Sequence, residues 1–289
     1  MKNVRGFTLV ELSIVLVIIG LIVGGILVGR DLIEAAQMRQ VQTSYEEMTA
    51  AVNTFRSKYN CIPGDCPNAT DFFGTSINGT FNGGVGCPPD LAPGTVWLHW
   101  NNIPDTATCN GNGDGLIDGS ETIFEEFTLW QQLASAGLIT GTYTGGLTGG
   151  GYPSQITVGI NIPTVTGLGA GYGWLAVDGD NWEMLADSSS PATMGLLPGP
   201  IGTVLIAIGE TGRASFTPVL MQSFDTKFDD GSPTTGRIQE VGNMFGSAHC
   251  TNAAQPTATD STNEGAQYKT SDTVFKDQYN CVLMYTHWL

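Results

Sequence analysis

The chain is short of positive charge. Its 289 residues hold 11 Lys and Arg against 27 Asp and Glu, a formal net charge of −16. That shortage excludes the basic footprint on which nucleic-acid binding depends. Histidine is scarcer still, and His99, His249 and His287 have no ligand spacing with one another. No G-x-S-x-G, no H-E-x-x-H and no phosphate-cradling glycine loop before a helix occurs, so no enzyme is expected. G-E-T-G-R, from Gly209, reads as a hairpin turn. Proline is missing before Pro63, so nothing of that kind breaks a helix in the first sixty residues. Charge is also missing from one stretch: between Phe7 and Gly29 the only charged residue is Glu11.

What fills that stretch is apolar. Leu12 to Val28 reads L-S-I-V-L-V-I-I-G-L-I-V-G-G-I-L-V. A helix over 7–29 reaches about 33 Å at 1.5 Å per residue, enough for a hydrocarbon core of about 30 Å. A buried helix of a soluble domain is rarely apolar on every side for so long. A secretory signal peptide has a similar basic start and apolar centre. Here the run is too long, and no small-x-small cleavage site follows. Instead Arg30 and Asp31 open a stretch that stays helical in pattern. Lys2 and Arg5 precede the apolar run, which places them on the cytoplasmic side and the rest outside.

From Asp31 to Tyr59 the period is helical. Val41, Tyr45, Met48, Val52, Phe55 and Tyr59 form one apolar stripe at steps of three and four. One helix is therefore expected from Phe7 to about Tyr59, ending before Pro63 and Gly64. Residues 60–120 read mostly as loops. Glu121 to Ala136 reads as a second helix with an apolar face of Ile123, Phe127, Trp130 and Leu133, ended by Gly137. Strands are expected at 155–162, 173–178, 182–185 and 203–208, a third helix at 216–228, and a final strand within 279–288. Turn signals at 178–181 and 209–212 fit an antiparallel sheet. Residues 251–273 read as a loop. The tryptophans Trp97, Trp100, Trp174 and Trp182 are more often core than groove.

The six cysteines, Cys61, Cys66, Cys87, Cys109, Cys250 and Cys281, suit an oxidising compartment. They allow fifteen complete pairings. Cys61 and Cys66 bracket the turn-forming I-P-G-D, which fits a local loop. Cys250 and Cys281 bracket the polar C-terminal region, and Cys87 with Cys109 would remain. No histidine lies near them, which favours disulfides over structural zinc.

The first residues read M-K-N-V-R-G-F-T-L-V-E-L. This string resembles the class III leader of type IV prepilins and of type II secretion pseudopilins. The resemblance is tight over roughly the first thirty residues and one of character only up to Tyr59. It implies that a prepilin peptidase cuts after Gly6 and methylates the new amino terminus at Phe7. It also places Glu11 at the family's acidic fifth residue. A carboxylate inside an apolar helix is costly unless compensated. The mature amino group at Phe7 of an adjacent subunit is a natural partner; the other reading, for the uncleaved precursor, is that Glu11 snorkels to the interface near Arg5. Many relatives carry a proline in this helix. This chain has Gly20, Gly24, Gly25 and Gly29 there, in small-xxx-small spacing, and Gly24-Gly25 is the expected weak point.

Two segments are candidate cation loops. Asn110 to Glu121 reads N-G-N-G-D-G-L-I-D-G-S-E and resembles the twelve-residue calcium loop of an EF-hand or dockerin. Asn110, Asn112, Asp114, the Leu116 carbonyl, Asp118 and Glu121 fall at positions one, three, five, seven, nine and twelve. Asn110 departs from the usual aspartate, and no entering helix is evident. A Gly-Asn-Asp turn capping the next helix through Ser120 is the other reading. The second segment holds Asp225, Asp229 and Asp230 in D-x-K-x-D-D-G-x-P, which resembles a loop recurrent in bacterial prepilin-like proteins with long C-terminal domains. A hydrogen-bonded turn explains it equally well.

The expected organisation is a leader at 1–6, a transmembrane and filament-core helix at 7–29, an amphipathic helix at 30–59 and an extracytoplasmic domain at 60–289. The expected fold is α+β, with a long N-terminal helix packed on an antiparallel sheet bearing long Gly-rich loops. The implied function is a subunit of a type IV pilus-like filament, with a minor pilin or pseudopilin as a variant. A membrane-tethered monomeric binding protein is the different-class alternative. The implied partners are the prepilin peptidase, other pilin subunits and an inner-membrane assembly platform, with calcium as the candidate ion. The implied location is the inner membrane as precursor, then a surface filament or periplasmic pseudopilus.

Overall fold

A computed structural model describes residues 9–75, 80–81, 84–85, 107–113, 115, 117, 125–146, 157–165, 172–177, 204–209, 216–240, 250–252, 267–271, 281 and 283–285. Helix α1 spans Leu9–Tyr59 without interruption, through Gly24 and Gly25. Its 51 residues fit the absence of proline, and its last turn carries Arg56 and Lys58, which complement the negative end of the helix dipole. Asn60, at φ 58°, and the Pro63-Gly64 pair then turn the chain away.

Along α1 the surroundings change abruptly. From Leu9 to Ile33 every large apolar side chain is exposed. From Val41 onward one face is covered: Val41, Ser44, Tyr45, Ala51, Val52 and Phe55 are buried, with Met48 and Tyr59 partly so. The stripe expected from periodicity is the face that packs.

The other helices are α2 (Ala69–Phe73), α3 (Glu125–Ser135) and α4 (Pro218–Phe228). Helix α4 starts on a Thr217 N-cap whose hydroxyl accepts from the Leu220 amide at 3.2 Å, with Pro218 in the first turn. Helix α3 departs from the one-sided amphipathic helix expected. Every residue from Glu125 to Leu133 is buried. Its polar side chains face neighbouring loops and bond to them. Thr128 donates to the Gly145 carbonyl at 3.2 Å, Gln131 to the Thr144 carbonyl at 3.3 Å, and Gln132 to the Cys109 carbonyl at 3.1 Å. A helix enclosed by loops needs such side chains, because loop backbone buried without partners is costly. Gly137, at φ 70°, ends the turn after α3, as its position predicts.

Strand content is minor. β1 (Thr80–Phe81) and β2 (Gly84–Val85) form a two-stranded ladder. β3 (Tyr172–Val177), β4 (Val204–Gly209), β5 (Ile238–Glu240) and β6 (Leu283–Tyr285) lie in the order β3-β4-β6-β5, all antiparallel. The strand expected at 155–162 is a correction: its described part is a turn with isolated bridges at Val158–Ile162 and Thr164–Gly173. Here the Asn161 side chain accepts from the Thr157 amide at 2.8 Å, closing the turn that apolar alternation had masked. The strand expected at 182–185 lies outside the described residues.

The long helix thus packs against a small, mainly helical core. It touches α3, and two bonds from β3 and β6 reach it. Trp174 donates its indole N–H to the Ser44 hydroxyl at 2.8 Å, and Tyr285 donates to the Gln42 side chain at 2.6 Å. The Tyr45 and Tyr285 rings stack with centroids 3.6 Å apart. Burial pushes both tyrosine hydroxyls above their ordinary range.

Candidate functional site

Three places carry the residues singled out by sequence. The first is the N-terminal half of α1. It is long and apolar enough to cross a membrane, and none of its most apolar window is buried. Glu11 sits on it, one of the exposed residues in its first turn. Gly6 and Phe7 lie outside the described residues.

The second is the loop that begins at Asn110. Asp114, Leu116, Asp118 and Glu121 lie outside the described residues, while Asn110 and Asn112 are placed. The Asn110 side chain accepts from the Thr70 amide at 2.9 Å, which ties the loop to α2. The Asn112 amide donates to the Glu125 carboxylate at 3.0 Å. Between them enters a residue that sequence reasoning missed. Asp65 is buried at 3% exposure. It accepts from the Gly113 amide through one oxygen and from the Gly115 amide at 2.9 Å through the other. The Gly111 amide donates to the Cys66 carbonyl at 2.9 Å, and the Gly64 amide to the Gln132 side chain at 2.8 Å. Gly111 must be glycine, since a Cβ there would collide with the Asp65 backbone. The available signal was the I-P-G-D turn itself, whose aspartate was read as turn chemistry only.

The disulfide Cys61–Cys66 closes that turn, and Cys250–Cys281 closes the C-terminal region. Cys109 is disulfide-bonded too, while Cys87 lies outside the described residues. No described cysteine is free.

The third place follows α4. Asp225, Asp229 and Asp230 each offer a carboxylate oxygen, and these oxygens lie within 4.8 Å of one another. Asp225 is buried, Asp229 half-buried and Asp230 exposed. Asp225 accepts from the Gly231 amide at 3.0 Å and from the Tyr268 hydroxyl at 2.7 Å. Asp229 accepts from the Arg237 amide and from the Ile238 amide at 2.7 Å. Asp230 accepts from the Ser232 amide at 2.9 Å and the Thr235 hydroxyl at 2.6 Å. Gly236, at φ 76°, leaves room for the Asp229 carboxylate, where a Cβ would collide. Desolvation pushes the Asp225 carboxyl up to about 6, against its two hydrogen bonds and with help from Asp230 and Asp229. Burial and then the Asp225 charge raise the Tyr268 hydroxyl.

The turn reading and the cation reading both survive this geometry. The hydrogen bonds build a turn, yet a carboxylate has about four lone-pair sites on its two oxygens, more than the two bonds each aspartate accepts here, so the bonds orient the carboxylates without exhausting them. Three convergent carboxylates fit a hard cation, but calcium takes six to eight oxygens, and nothing in the cluster selects calcium over another.

Residues 1–27 match the family model described as the prokaryotic N-terminal methylation motif. The chain therefore carries a prepilin-type motif, as found in type IV pilin and pseudopilin precursors. The matched span covers the leader and most of the membrane-length half of α1. No curated protein and no solved structure matches the chain. Residues 1–27 are thus assigned by comparison, and the chain beyond them is read on its own geometry.

Proposed function

We propose that this chain is a filament subunit of the type IV pilin kind, inserted in the inner membrane as a prepilin, cut between Gly6 and Phe7, methylated at Phe7 and then polymerised. The observation that carries the reading is the division of α1. One continuous helix, which begins inside the prepilin-type motif, leaves the large apolar side chains of its first half exposed and buries one face of its second half. Such a helix suits two environments in succession, a bilayer and then a bundle of like helices, while its second half holds the domain. The domain is read as a helix on an antiparallel sheet with glycine-rich loops, and its role is structural, without catalysis. The assembled form lies in a surface filament or a periplasmic pseudopilus.

Glu11 supplies register in this reading. In a bundle of apolar helices its carboxylate requires a compensating cation, and the Phe7 amino group of a neighbouring subunit meets that need only at one axial stagger. Glu11→Ala removes the requirement and the selector together. Insertion and the cut after Gly6 should persist, while filament yield falls sharply. Sheared filaments and processed monomer measured in the same cells test this; normal filaments with unchanged stagger would refute it. Intact mass of the membrane-extracted protein tests the cut, which is rejected by a mature form that keeps Met1 or starts well beyond Phe7. A processed monomer that never enters filaments would favour the tethered binding protein.

Calcium belongs to the same reading, as the ion of the Asn110–Glu121 loop and, second, of Asp225, Asp229 and Asp230. Calcium calorimetry on the full chain, with thermal melts in chelator, tests it. No heat and no shift in either experiment would reject calcium at both places.

A further inference from the structure

We propose that the Cys61–Cys66 ring is a redox-gated clasp: its closure positions the Asp65 carboxylate to hold the loop at Gly111, Gly113 and Gly115. The inference stands apart from the filament and calcium readings. Four of the ring's hydrogen bonds reach residues distant in sequence. Asp65 takes the Gly113 and Gly115 amides, the Cys66 carbonyl takes the Gly111 amide, and the Gly64 amide meets Gln132 of α3. Gln132 in turn donates to the Cys109 carbonyl, at the start of the same loop. Two glycines mark how close the approach is. Gly64, at φ 91°, lies against the Glu125 carbonyl, and Gly111 lies against the Asp65 backbone.

Of the two disulfides whose cysteines are both described, the ring is the more accessible. Cys66 is fully buried and Cys61 half-buried, whereas Cys250 and Cys281 are both fully buried. Thiol–disulfide exchange needs access to a sulfur, so a mild dithiol should reach Cys61 before the Cys250–Cys281 pair. Closure forms the bond between the Cys61 and Cys66 sulfurs. Two protons and two electrons pass to a disulfide-bearing oxidant, which leaves as a dithiol. With the ring open, the residues between Cys61 and Cys66 regain the freedom the bond removed, and Asp65 no longer stands fixed beneath the glycine amides. The loop is then ordered only where disulfides form.

Hydrogen exchange resolved to single amides tests this on the full chain in detergent. Limiting dithiol, followed by alkylation and mass mapping, should label Cys61 and Cys66 before Cys250 and Cys281, and the species in which Cys109 stays unlabelled is the one read. In that species exchange at Gly111, Gly113 and Gly115 should rise about tenfold or more, while the amides of α4 keep their rates. Asp65→Ala with the ring closed should raise exchange at Gly113 and Gly115 only, because Gly111 bonds to the Cys66 carbonyl. If Cys61→Ser with Cys66→Ser fails to fold, the partly reduced natural chain gives the same reading. The proposal is overturned if the three amides stay protected with the ring open. Loss of protection throughout the domain at once would overturn it too, because the ring would then be general support. Labelling of Cys250 and Cys281 first would remove the gate.

Discussion

The two halves of α1 have the same backbone and opposite surroundings. Leu16 and Val17 near one end are 61% and 62% exposed, while Val41 and Phe55 near the other are 0% exposed. The helix is continuous through both, so local propensity does not distinguish them. What differs is the pattern around the circumference. The first half is apolar on all sides and needs an apolar solvent. The second interleaves Gln, Ser, Thr, Glu and Lys with its stripe and needs one covered face. The difference teaches that a helix continuous in structure can be two elements in energetics, the first stabilised by what surrounds the protein and the second by the protein itself.

The largest expected effect comes from truncating matched apolar positions. Phe55→Ala removes a ring that meets Tyr59 at 4.5 Å and Phe73 at 6.0 Å between centroids. It should cost about 3–5 kcal/mol of domain stability. Leu16→Ala should leave domain unfolding unchanged, because that side chain touches no part of the domain. Denaturant melts of the detergent-extracted chain, followed by tryptophan fluorescence, measure both. Equal losses from the two variants would break the comparison.

Titration gives the next effect. The Asp225 carboxyl is raised to about 6 in the folded chain from an ordinary value near 3.9. Its protonated form is therefore favoured by folding. The contribution is fully present below the unfolded value and is lost as pH rises through about 6, on the order of 3 kcal/mol across the window. Asp225→Asn should flatten that fall between pH 4 and pH 6.5 in chelator, judged by the difference between the two stability curves, since other carboxyls titrate in both. Helicity from the first half of α1 in detergent should not follow this slope. Parallel curves for the two proteins would contradict the account.

The parts legible in sequence are those carried by periodicity and by local chemistry. The unbroken α1, the covered stripe from Val41 to Phe55, α4 near 216–228 and the strands near 173–178 and 203–208 all followed from residues close together in the chain. The pairings Cys61–Cys66 and Cys250–Cys281 lay within what bracketing allowed, but sequence left fifteen possibilities open. What stayed hidden depends on distant segments meeting. Helix α3 looks amphipathic because Thr128, Gln131 and Gln132 are polar; only the loops at 107–111 and 143–146 explain why such residues are buried. The partners of Asp65 and Tyr268 were illegible for the same reason, since each acts on backbone or side chains more than forty residues away in sequence. At the Asn110–Glu121 loop, spacing pointed to a cation. The structure adds Asp65 and Glu125 as the carboxylates that hold the Asn112, Gly113 and Gly115 amides.

The smallest effect sharpens the comparison most, because it sets an exposed serine of α1 against a buried one. Ser13 and Ser44 both lie on α1. The Ser13 hydroxyl donates to the Val10 carbonyl at 2.9 Å on the exposed half. The Ser44 hydroxyl accepts the Trp174 indole N–H at 2.8 Å and is buried. Ser13→Ala removes a donor from a carbonyl within the helix's own turn, so domain stability should not move measurably. Ser44→Ala deletes the acceptor of an indole that no water reaches, since Trp174 is 0% exposed. A buried donor left without a partner costs about 1–3 kcal/mol, more than the net worth of the bond. Ser44→Cys, close in size but a weak acceptor, should recover the packing part of that loss and little of the hydrogen-bond part. Denaturant midpoints for the three variants, with an indole N–H resonance as a local probe, separate the outcomes. An unshifted midpoint in Ser44→Ala would mean that the Trp174 contact does not anchor the second half of α1, leaving that role to Tyr45, Tyr285 and the apolar stripe.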